Sequence, residues 1–430
     1  MNKFELTQEL MTFIDYSPSV FHVIENFEDI LDKNDFQKLE KNNRWNLLPN
    51  KKYYITNNDS SILAFQVGSD LDNNFFRIIG SHSDSPTFRI KPNPTMDIKK
   101  HFIKLNTEVY GGPILSTWFD RPLSIAGRVI VKGENTFAPK SINVNIDRNL
   151  LIIPNMAIHM NREINKGYEY NAQKDTLPLI GLINETFEKD NYLLNIIAND
   201  LNIDISDILD FDLFLYDRAK GSFVGNDNEF YSVGKIDNLG MAFTSIKALV
   251  NSKSTPYTKI VYIPDNEEIG SSTKQGAASP FLRDILERII YNLGGDFEDF
   301  SIALAKSFMI SSDQAHSLHP NYIEANDITN FPVINKGPAI KLAASMSYTS
   351  DAVTSSIYKS ICEKADVPCQ YFVNRSDKRG GSTIGPITTS NLDIKSVDIG
   401  NPILSMHSVR ELGGVDDNMY LYKSFIEFFK

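Results

Sequence analysis

The sequence has few cysteines, no long apolar run and no excess of basic residues. Its only two cysteines, Cys362 and Cys369, are too few for a disulfide framework and are typical of a protein from a reducing compartment. No apolar run reaches the roughly 18 to 20 residues that span a bilayer, and residues 1–6 lack the apolar core of a secretory signal. Acidic residues outnumber basic ones by 54 to 43, which argues against a protein that coats nucleic acid. We therefore expect a cytoplasmic protein with neither a membrane nor a nucleic-acid partner.

The composition is that of a folded globular protein. Hydrophobic residues make up 42% of the chain and charged residues 23%, values that disordered or low-complexity proteins do not have. At roughly 150 residues per domain, 430 residues correspond to two or three structural units.

Hydrophobic periodicity divides the chain into three parts. Near the end, apolar strands alternate with amphipathic helices, as in strand Lys259–Ile263 and helix Ser279–Asn292, a pattern typical of βαβ units. The middle of the chain has short runs in which apolar and polar residues alternate, broken by Gly, Pro and Asn. These runs predict a β-rich block. We expect an α/β fold whose mostly parallel sheet, flanked by helices, is formed by residues 1–92 and 234–430. A β-rich domain is expected to be inserted at residues 93–233.

Histidines and carboxylates stand in short polar loops after several of the predicted strands. His82 and Asp84 are two residues apart, a spacing at which a carboxylate can orient a metal-bound imidazole. Taken alone, this pair is more often part of a surface turn. Asp237 stands between the insertion and a predicted helix, where its ordinary role is that of an N-cap. Each signal is therefore weak unless the loops meet in space.

The loop from Pro264 to Gly270 carries two adjacent carboxylates, Glu267 and Glu268. Side chains of adjacent strand residues point to opposite faces, but the proline before and the glycine after favour a bend that aims both into one cavity. One carboxylate can then bind a metal ion while the other accepts a proton from metal-bound water. Asp313 and His407 stand in similar loops. Two histidines and three carboxylates fit a pair of divalent ions that share one carboxylate, with zinc, cobalt or manganese as the metal.

The remaining histidines have ordinary interpretations. His316 and His319 have the spacing of one helix face, but Pro320 would break such a helix, so we expect structural or supporting roles. His22 and His101 have no companion groups near them in sequence, and packing or surface roles are expected.

The motifs and their order resemble the aspartyl aminopeptidase and vacuolar aminopeptidase I family of di-zinc exopeptidases. The matching segments span most of the chain: Ser81–Pro86, Trp118–Arg121, Ala157–Glu163, Ile236–Leu239, Asp265–Ser271, Asp313–Tyr322, Gly337–Lys341, Gly381–Pro386 and Ser405–Glu411. The resemblance implies a metallo-aminopeptidase that removes the N-terminal residue of peptides with two divalent ions, zinc above all, with manganese or cobalt as alternatives.

The resemblance also implies a role for each residue of the motifs. It gives five metal ligands: His82, Asp237, Glu268, Asp313 and His407. Asp237 would bridge the two ions, and the choice between Glu268 and Asp313 as the partner of His82 stays open. Glu267 would be the general base that activates a metal-bound water, and Asp84 would orient the imidazole of His82.

His159 matches a family histidine that reaches from the insertion into the active site of a neighbouring subunit and helps to stabilise the tetrahedral intermediate. A packed histidine at the end of the apolar stretch Leu150–Ile158 is the alternative. The family interpretation makes the insertion a dimerisation domain. It implies a homo-oligomer, a dimer at minimum and a dodecamer as in relatives, whose enclosed sites admit peptides.

Lys341 matches a lysine that pairs with acidic substrate side chains, which implies a preference for N-terminal Asp or Glu. The segment Leu342–Ser350 and two others, Gly111–Pro113 and Arg121–Pro122, depart from the pattern of acidic-selective members. A broad or neutral preference is therefore the alternative. A di-zinc deacylase or carboxypeptidase and a non-catalytic protein with the peptidase fold are further alternatives.

Overall fold

The computed structural model describes residues 1–71, 74–184 and 189–430. Nine α-helices lie within these residues: α1 (Lys3–Asp15), α2 (Val20–Asp32), α3 (Tyr192–Leu201), α4 (Ile236–Asn251), α5 (Phe281–Asn292), α6 (Phe297–Lys306), α7 (Ala352–Lys364), α8 (Ile384–Asn391) and α9 (Val415–Phe428). The predicted helix at Ser279–Asn292 is confirmed as α5. Among the helices of the described residues, none combines the length and the apolarity needed to cross a bilayer.

The strands of the described residues form three sheets. In chain order they are β1 (Gln37–Lys38), β2 (Lys52–Asn57), β3 (Ser61–Gln66), β4 (Phe76–Gly80), β5 (Thr87–Ile98), β6 (Phe102–Tyr110), β7 (Leu123–Asn135), β8 (Ala138–Asn145), β9 (Leu179–Leu182), β10 (Ile208–Asp217), β11 (Ser222–Val224), β12 (Phe230–Val233), β13 (Thr258–Ile263), β14 (Phe308–Ser312), β15 (Ala315–His316), β16 (Ala339–Leu342), β17 (Gln370–Val373), β18 (Lys395–Gly400), β19 (Pro402–Leu404) and β20 (Glu411–Gly414).

The largest sheet has nine strands in the order β1-β2-β3-β13-β4-β14-β18-β16-β17. Its four central strands, β13, β4, β14 and β18, run parallel to their neighbours in that group, whereas β3 and β16 pair with it antiparallel. Helices cover both faces, so the expected α/β fold with a mostly parallel sheet is confirmed.

Two apolar cores lie on the opposite faces of this sheet. Successive strand residues enter different cores, because side chains alternate along a strand: Ile79 packs with α1, α2, α4, α7 and α9, and Ile78 packs with α5, α6 and α8. Both faces are covered, which explains why a strand such as β13 is entirely buried and is apolar from Ile260 to Ile263. The polar ends of these strands are therefore the places where chemistry can reach solvent.

The second sheet has six antiparallel strands in the order β8-β7-β10-β5-β6-β9 and uses residues between Thr87 and Asp217. It has its own apolar core, to which α3 contributes Leu193 and Ile197. The prediction of β-rich structure in the middle of the chain agrees with this sheet. The domain boundaries at 93 and 233 and the dimerisation role remain predictions.

The third sheet has five short strands in the order β11-β12-β20-β19-β15. Strands β11 and β12 follow the six-stranded sheet in the chain, and β19 and β20 come from its last part. The pairing of β12 with β20 joins these two regions. The loop between β19 and β20 carries His407, so this sheet places the late histidine next to the edge of the nine-stranded sheet.

Candidate metal centre

The candidate site lies at the carboxyl edge of the nine-stranded sheet. Three neighbouring parallel strands, β13, β4 and β14, end there, and the loops that follow them carry Glu267 and Glu268, His82, and Asp313, respectively. Carboxyl ends of adjacent parallel strands open into one crevice, which is where open α/β sheets bind ligands. The loops that the sequence analysis linked only by pattern therefore meet in space.

Asp237 lies between the two histidines. Its Oδ1 is 3.4 Å from His82 Nε2, and its Oδ2 is 3.5 Å from His407 Nε2. The residue stands at the start of α4, where Asp237 and Asn238 have non-helical dihedral angles. This local departure from the helix turns the carboxylate into the crevice, so that each oxygen faces a different imidazole.

Two further carboxylates complete two groups that share Asp237. Asp313 Oδ1 is 3.7 Å from His82 Nε2, and Glu268 Oε2 is 3.3 Å from His407 Nε2. Within each group, one ligand atom per residue lies within 4.8 Å of the others. His82 also forms such a group with Glu267 and Glu268. The geometry thus favours Asp313, of the two carboxylates left open, as the partner of His82.

The donor set fits divalent cations. Oδ1 of Asp237 and Oε1 of Glu268 are buried and accept no hydrogen bond from any described residue, so each has room for a cation. Burial opposes ionisation of Asp237, yet the neighbouring imidazoles of His407 and His82 hold its pKa well below the usual value. Burial and the charge of Asp237 raise the pKa of Glu268 well above its usual value. Carboxylates so close together need a counter-cation or protons, and imidazole with carboxylate is a ligand set of zinc.

The predicted bend aims Glu267 and Glu268 into the same crevice. Asn266 and Gly270 both adopt left-handed backbone conformations, with φ of 61° and 96°, and enclose a short 3-10 turn. Glu267 Oε2 lies 4.0 Å from His82 Nε2. Burial and the neighbouring Asp313, opposed by His82, raise the pKa of Glu267 to about 8. A carboxylate in this environment is suited to accept a proton near neutral pH.

Asp84 connects His82 to the loop that carries the two glutamates. Its Oδ1 is 3.3 Å from His82 Nδ1. The same carboxylate accepts hydrogen bonds from the backbone N–H groups of Glu267 at 3.1 Å and Glu268 at 3.2 Å. Tyr110, at the end of β6, donates a further hydrogen bond of 2.7 Å to Asp84 Oδ2. Asp84 therefore fixes both the ring of His82 and the position of the glutamate turn.

Glu411 is a site residue whose role the sequence analysis missed. Its two carboxylate oxygens accept hydrogen bonds from the backbone N–H groups of Asp237, at 2.9 Å, and His407, at 2.8 Å. Burial and the charge of Asp237 raise the pKa of Glu411 to about 8. Gly112, in the loop after β6, accepts at 3.0 Å from His407 Nδ1, which leaves Nε2 free to face the carboxylates.

Lys341 lies beside the cluster, whereas His159 does not. Lys341, on β16, is buried, and its Nζ is 3.6 Å from Asp313 Oδ2 and 5.5 Å from the centre of the Tyr348 ring. His159 is exposed on the segment between β8 and β9 and belongs to none of the metal-ligand groups found in the described part of its own chain.

The other histidines and the cysteines lie outside the cluster. No helix forms over His316 and His319, as Pro320 predicts: His316 packs edge-on against Phe372, and His319 contacts Tyr322. Burial lowers the pKa of His22 to about 4, so this ring is neutral at pH 7. Both cysteines are free thiols.

A cavity of about 550 Å³ adjoins the cluster at Asp84, Asp237 and His407. It extends along the six-stranded sheet toward Tyr16 and Arg218. A space of this size is typical of a site for a small organic ligand.

A profile of the family described as aminopeptidase I zinc metalloprotease (M18) matches residues 13–429. The chain belongs to the M18 aminopeptidase family. It is therefore a zinc-dependent metallo-aminopeptidase, a hydrolase that acts on the N-terminal end of peptides. The family resemblance found from the motifs is confirmed.

Relatives of this M18 aminopeptidase are similar over its full length. A protein of Clostridium novyi (strain NT), named probable M18 family aminopeptidase 2, is 56% identical over 100% of this chain and 99% of its own. Aspartyl aminopeptidase 1 of Schizosaccharomyces pombe is 39% identical over 98% of this chain and 94% of its own.

Solved structures of related aminopeptidases have the same fold. The cryo-EM structure of the Ape4 and Nbr1 complex matches with a TM-score of 0.95 and 38% identity, over 99% of this chain and 86% of the matched chain. The structure of the S. cerevisiae mApe1 dodecamer matches with a TM-score of 0.84 and 26% identity, over 98% of this chain and 95% of the matched chain.

Proposed function

We propose that this M18 aminopeptidase binds two divalent cations, zinc in preference to manganese or cobalt, in the two groups that share Asp237. His82 and Asp313 would complete one group, and Glu268 and His407 the other. The single observation that carries this proposal is the position of Asp237, whose two oxygens face separate histidines. Bound there, the cations would supply Lewis-acid activation of a water molecule and of the scissile carbonyl.

Glu267 is the proposed general base. It belongs to the same turn as Glu268, yet the two groups that share Asp237 leave it free of a ligand role. Its carboxylate would take a proton from the attacking water and pass it to the nitrogen of the leaving peptide. Asp84 and Glu411 would act through the residues they hold, Asp84 by orienting His82 and Glu411 by fixing Asp237 and His407.

Lys341 is the proposed determinant of a preference for N-terminal Asp or Glu. Its ammonium is buried and has the Asp313 carboxylate as its ion-pair partner among the described residues. If Asp313 is a metal ligand, its charge is shared with the cation, and the ammonium is left to pair with a substrate carboxylate. The aspartyl aminopeptidase of S. pombe, 39% identical, gives weak additional support. A broad or neutral preference is the rival, since Leu342–Ser350 departs from the acidic-selective pattern.

His159 is proposed to act in the active site of a neighbouring subunit. Its exposure between β8 and β9 leaves the ring available to a second copy, and the matched mApe1 structure is a dodecamer. We propose a homo-oligomer, a dimer at minimum and a dodecamer in full assembly, that acts on peptides in the cytoplasm. Two free thiols are consistent with a reducing compartment.

The general-base role of Glu267 and the metal-ligand role of Glu268 are tested by changing each glutamate to glutamine in a separate variant. Metal content by elemental analysis and release of N-terminal residues from unblocked peptides are measured for Glu267→Gln and Glu268→Gln. We expect Glu267→Gln to keep two ions per subunit and to lose activity by about a thousandfold or more. Glu268→Gln should retain about one ion. Activity in Glu267→Gln, or equal metal loss in both variants, would refute these roles.

Specificity is tested with Asp, Glu and Leu anilides on wild type and Lys341→Met. Faster cleavage of the Leu compound by wild type would refute the acidic preference. Peptides with an acetylated N-terminus separate the aminopeptidase from a deacylase or carboxypeptidase on the same scaffold, because only those alternatives would still act on them.

The intersubunit role of His159 is tested by mixing two inactive variants, His159→Ala and Glu267→Gln. If each site needs Glu267 from one subunit and His159 from its partner, subunit exchange creates hybrid dimers with one intact site. Random mixing would then restore about a quarter of wild-type activity. No recovery, with exchange verified by mass spectrometry of labelled subunits, would place His159 outside the shared site.

A further inference from the structure

Asp398 is a buried carboxylate next to Lys341 to which no role in the reaction has been given above. It lies on β18, fully buried near the carboxyl end of the strand. The antiparallel pairing of β16 with β18 matches Ala339 with Gly400 and Ile340 with Ile399. Continuing this register by one residue places Lys341 beside Asp398, on the same face of the sheet.

The carboxylate of Asp398 holds two loops in place. Its Oδ2 accepts hydrogen bonds from the backbone N–H of Thr349 at 2.6 Å and from the Thr349 hydroxyl at 2.8 Å. Its Oδ1 accepts from the Thr383 hydroxyl at 2.6 Å. A Cβ on Gly385 would lie only 2.6 Å from Asp398 Oδ2, so the carboxylate also requires a glycine in the first turn of α8.

The backbone of Asp398 also forms hydrogen bonds to the segment that contains Thr349, through Ser350. Its N–H donates to the Ser350 hydroxyl at 2.9 Å, and that hydroxyl donates to the Asp398 carbonyl oxygen at 3.3 Å. Thr349 and Ser350 are therefore fixed through both side chain and main chain. Buried polar groups are costly to leave without a hydrogen-bond partner, so these contacts hold the segment in one position.

The segment that Asp398 fixes carries an aromatic wall of the Lys341 site. Tyr348, one residue before Thr349, is buried, and its ring centre lies 5.5 Å from Lys341 Nζ and 6.4 Å from the ring of Phe372. Asp398 thus acts on the site by fixing the segment that places Tyr348 beside Lys341.

We propose that Asp398 is a positioning residue that shapes the pocket for the N-terminal side chain of the substrate, acting through Tyr348 and Lys341 without touching substrate. The proposal rests on the proposed function, in which Lys341 faces that side chain. Loss of Asp398 would let residues 347–350 and 382–385 shift. It would therefore change which side chains the enzyme prefers and leave the metal-bound chemistry in place.

The test is steady-state kinetics of Asp398→Asn on Asp, Glu and Leu anilides, with metal content and melting temperature measured on the same protein. We expect KM for the acidic compounds to rise about tenfold, kcat to change less than about threefold and the Leu compound to be affected least. Two ions per subunit should remain. A proportionate loss of kcat/KM on all three compounds would overturn the proposal.

Asp351→Asn is the matched control, because Asp351 caps α7 through Thr354 one residue beyond the fixed segment. It should lower the melting temperature with no change in the ranking of side chains, and an equal change of ranking in this control would overturn the proposal. Thr349→Val removes one hydrogen bond to Asp398 and should shift the ranking in the same direction by a smaller factor, which keeps the test open if Asp398→Asn does not fold.

The outcomes also separate this proposal from the acidic preference itself. A wild-type enzyme that prefers Leu would refute the role given to Lys341. In that case, Asp398 would still be supported as a positioning residue if Asp398→Asn changed the order of substrate preference and kept the metal content unchanged. An unchanged ranking in Asp398→Asn, with the acidic preference present in wild type, would refute Asp398 alone.

Discussion

Tyr110 donates a 2.7 Å hydrogen bond to Asp84, although the two residues are positioned by different sheets. Tyr110 ends β6 of the six-stranded sheet, and Asp84 follows β4 of the nine-stranded sheet. Asn266 donates to the same tyrosine oxygen at 2.9 Å. The candidate metal centre is therefore built jointly: the β-rich part of the chain supplies a support for the carboxylate that faces His82.

Tyr110→Phe should weaken the cation group that contains His82. The substitution removes one hydrogen bond to Asp84 and leaves the ring in place, so Asp84 and the ring of His82 lose a fixed orientation. We expect a loss of about tenfold in affinity for one of the two ions and a similar loss in kcat at limiting zinc. Competition with a chromophoric chelator measures the affinity.

Tyr216→Phe is the control for Tyr110→Phe. Tyr216 also lies in the six-stranded sheet and donates a 2.7 Å hydrogen bond, but to Asn145. It should leave both zinc affinities unchanged. Equal effects of the two substitutions would mean that Tyr110 acts through the stability of the sheet and not through Asp84.

Glu411→Gln should weaken the other cation group. A glutamine offers one acceptor oxygen, whereas Glu411 accepts from the backbone N–H groups of both Asp237 and His407. One of these donors is left facing the amide NH₂ group, so the loop that carries His407 loosens. We expect zinc affinity to fall about 10- to 100-fold for one ion, with the ion proposed to bind at His82 affected less.

Cobalt substitution can distinguish the two ions in this experiment. Adding cobalt stepwise to the metal-free protein gives an absorption spectrum for each occupied group. Glu411→Gln and Tyr110→Phe should impair different steps of this titration. Loss of the same step in both variants would contradict the division of ligands into two groups that share Asp237.

Much of the fold and of the cluster could be predicted from the sequence, because local patterns carry that information. Strand β13 is apolar from Ile260 to Ile263 and is followed by Pro264, so its position and the loop after it were predictable. The same reasoning led to His82, Glu267 and Asp313, since each follows a buried strand. These residues converge because β13, β4 and β14 are neighbours in the sheet. The family resemblance supports this strand order, but hydrophobic periodicity alone does not determine it.

The supporting residues could not be predicted, because their partners are remote in sequence. Glu411 contacts the N–H of a residue 174 positions away, and Tyr110 contacts Asn266 across 156 positions. No spacing rule links such pairs. The choice between Glu268 and Asp313 as the partner of His82 also required coordinates, because it depends on which strand ends lie next to each imidazole.

Asp417 should make stability depend on pH at a place remote from the cluster. It lies in the first turn of α9 and accepts hydrogen bonds from the N–H groups of Asn335 and Gly337, yet burial raises its pKa to about 7. The folded state therefore holds a proton that the unfolded chain releases near pH 4. It follows that the stabilisation is complete below about pH 4 and is lost as the pH rises to about 7.

Asp417→Asn isolates this contribution, since the amide does not titrate. We expect the melting temperature of the variant, relative to wild type, to rise by a few degrees between about pH 4.5 and pH 7.5. The difference between the two proteins is the informative quantity, because all other titrating groups are common to both. A difference that does not vary with pH would mean that Asp417 is ionised in the folded protein throughout this range.

Gly111→Ala should disturb Glu268 through direct contact. Gly111 has a φ of 71°, a conformation that favours glycine, and an added Cβ would lie 3.1 Å from the Cβ of Glu268. The strain costs about 1 kcal/mol by itself. The contact should in addition displace Glu268 by a few tenths of an ångström, which would weaken binding of the ion that we propose it shares with His407.

Gly294→Ala separates the strain at Gly111 from the contact. Gly294 has a φ of 96°, and an added Cβ there would have no atom within 4 Å, so the backbone strain is similar and no neighbour is displaced. Both variants should melt at a lower temperature than wild type, while only Gly111→Ala should lose zinc affinity and kcat at limiting zinc. If Gly294→Ala also lost zinc, or Gly111→Ala kept it, the effect on the site would have to come from stability alone, and Gly111 would have no specific part in placing Glu268.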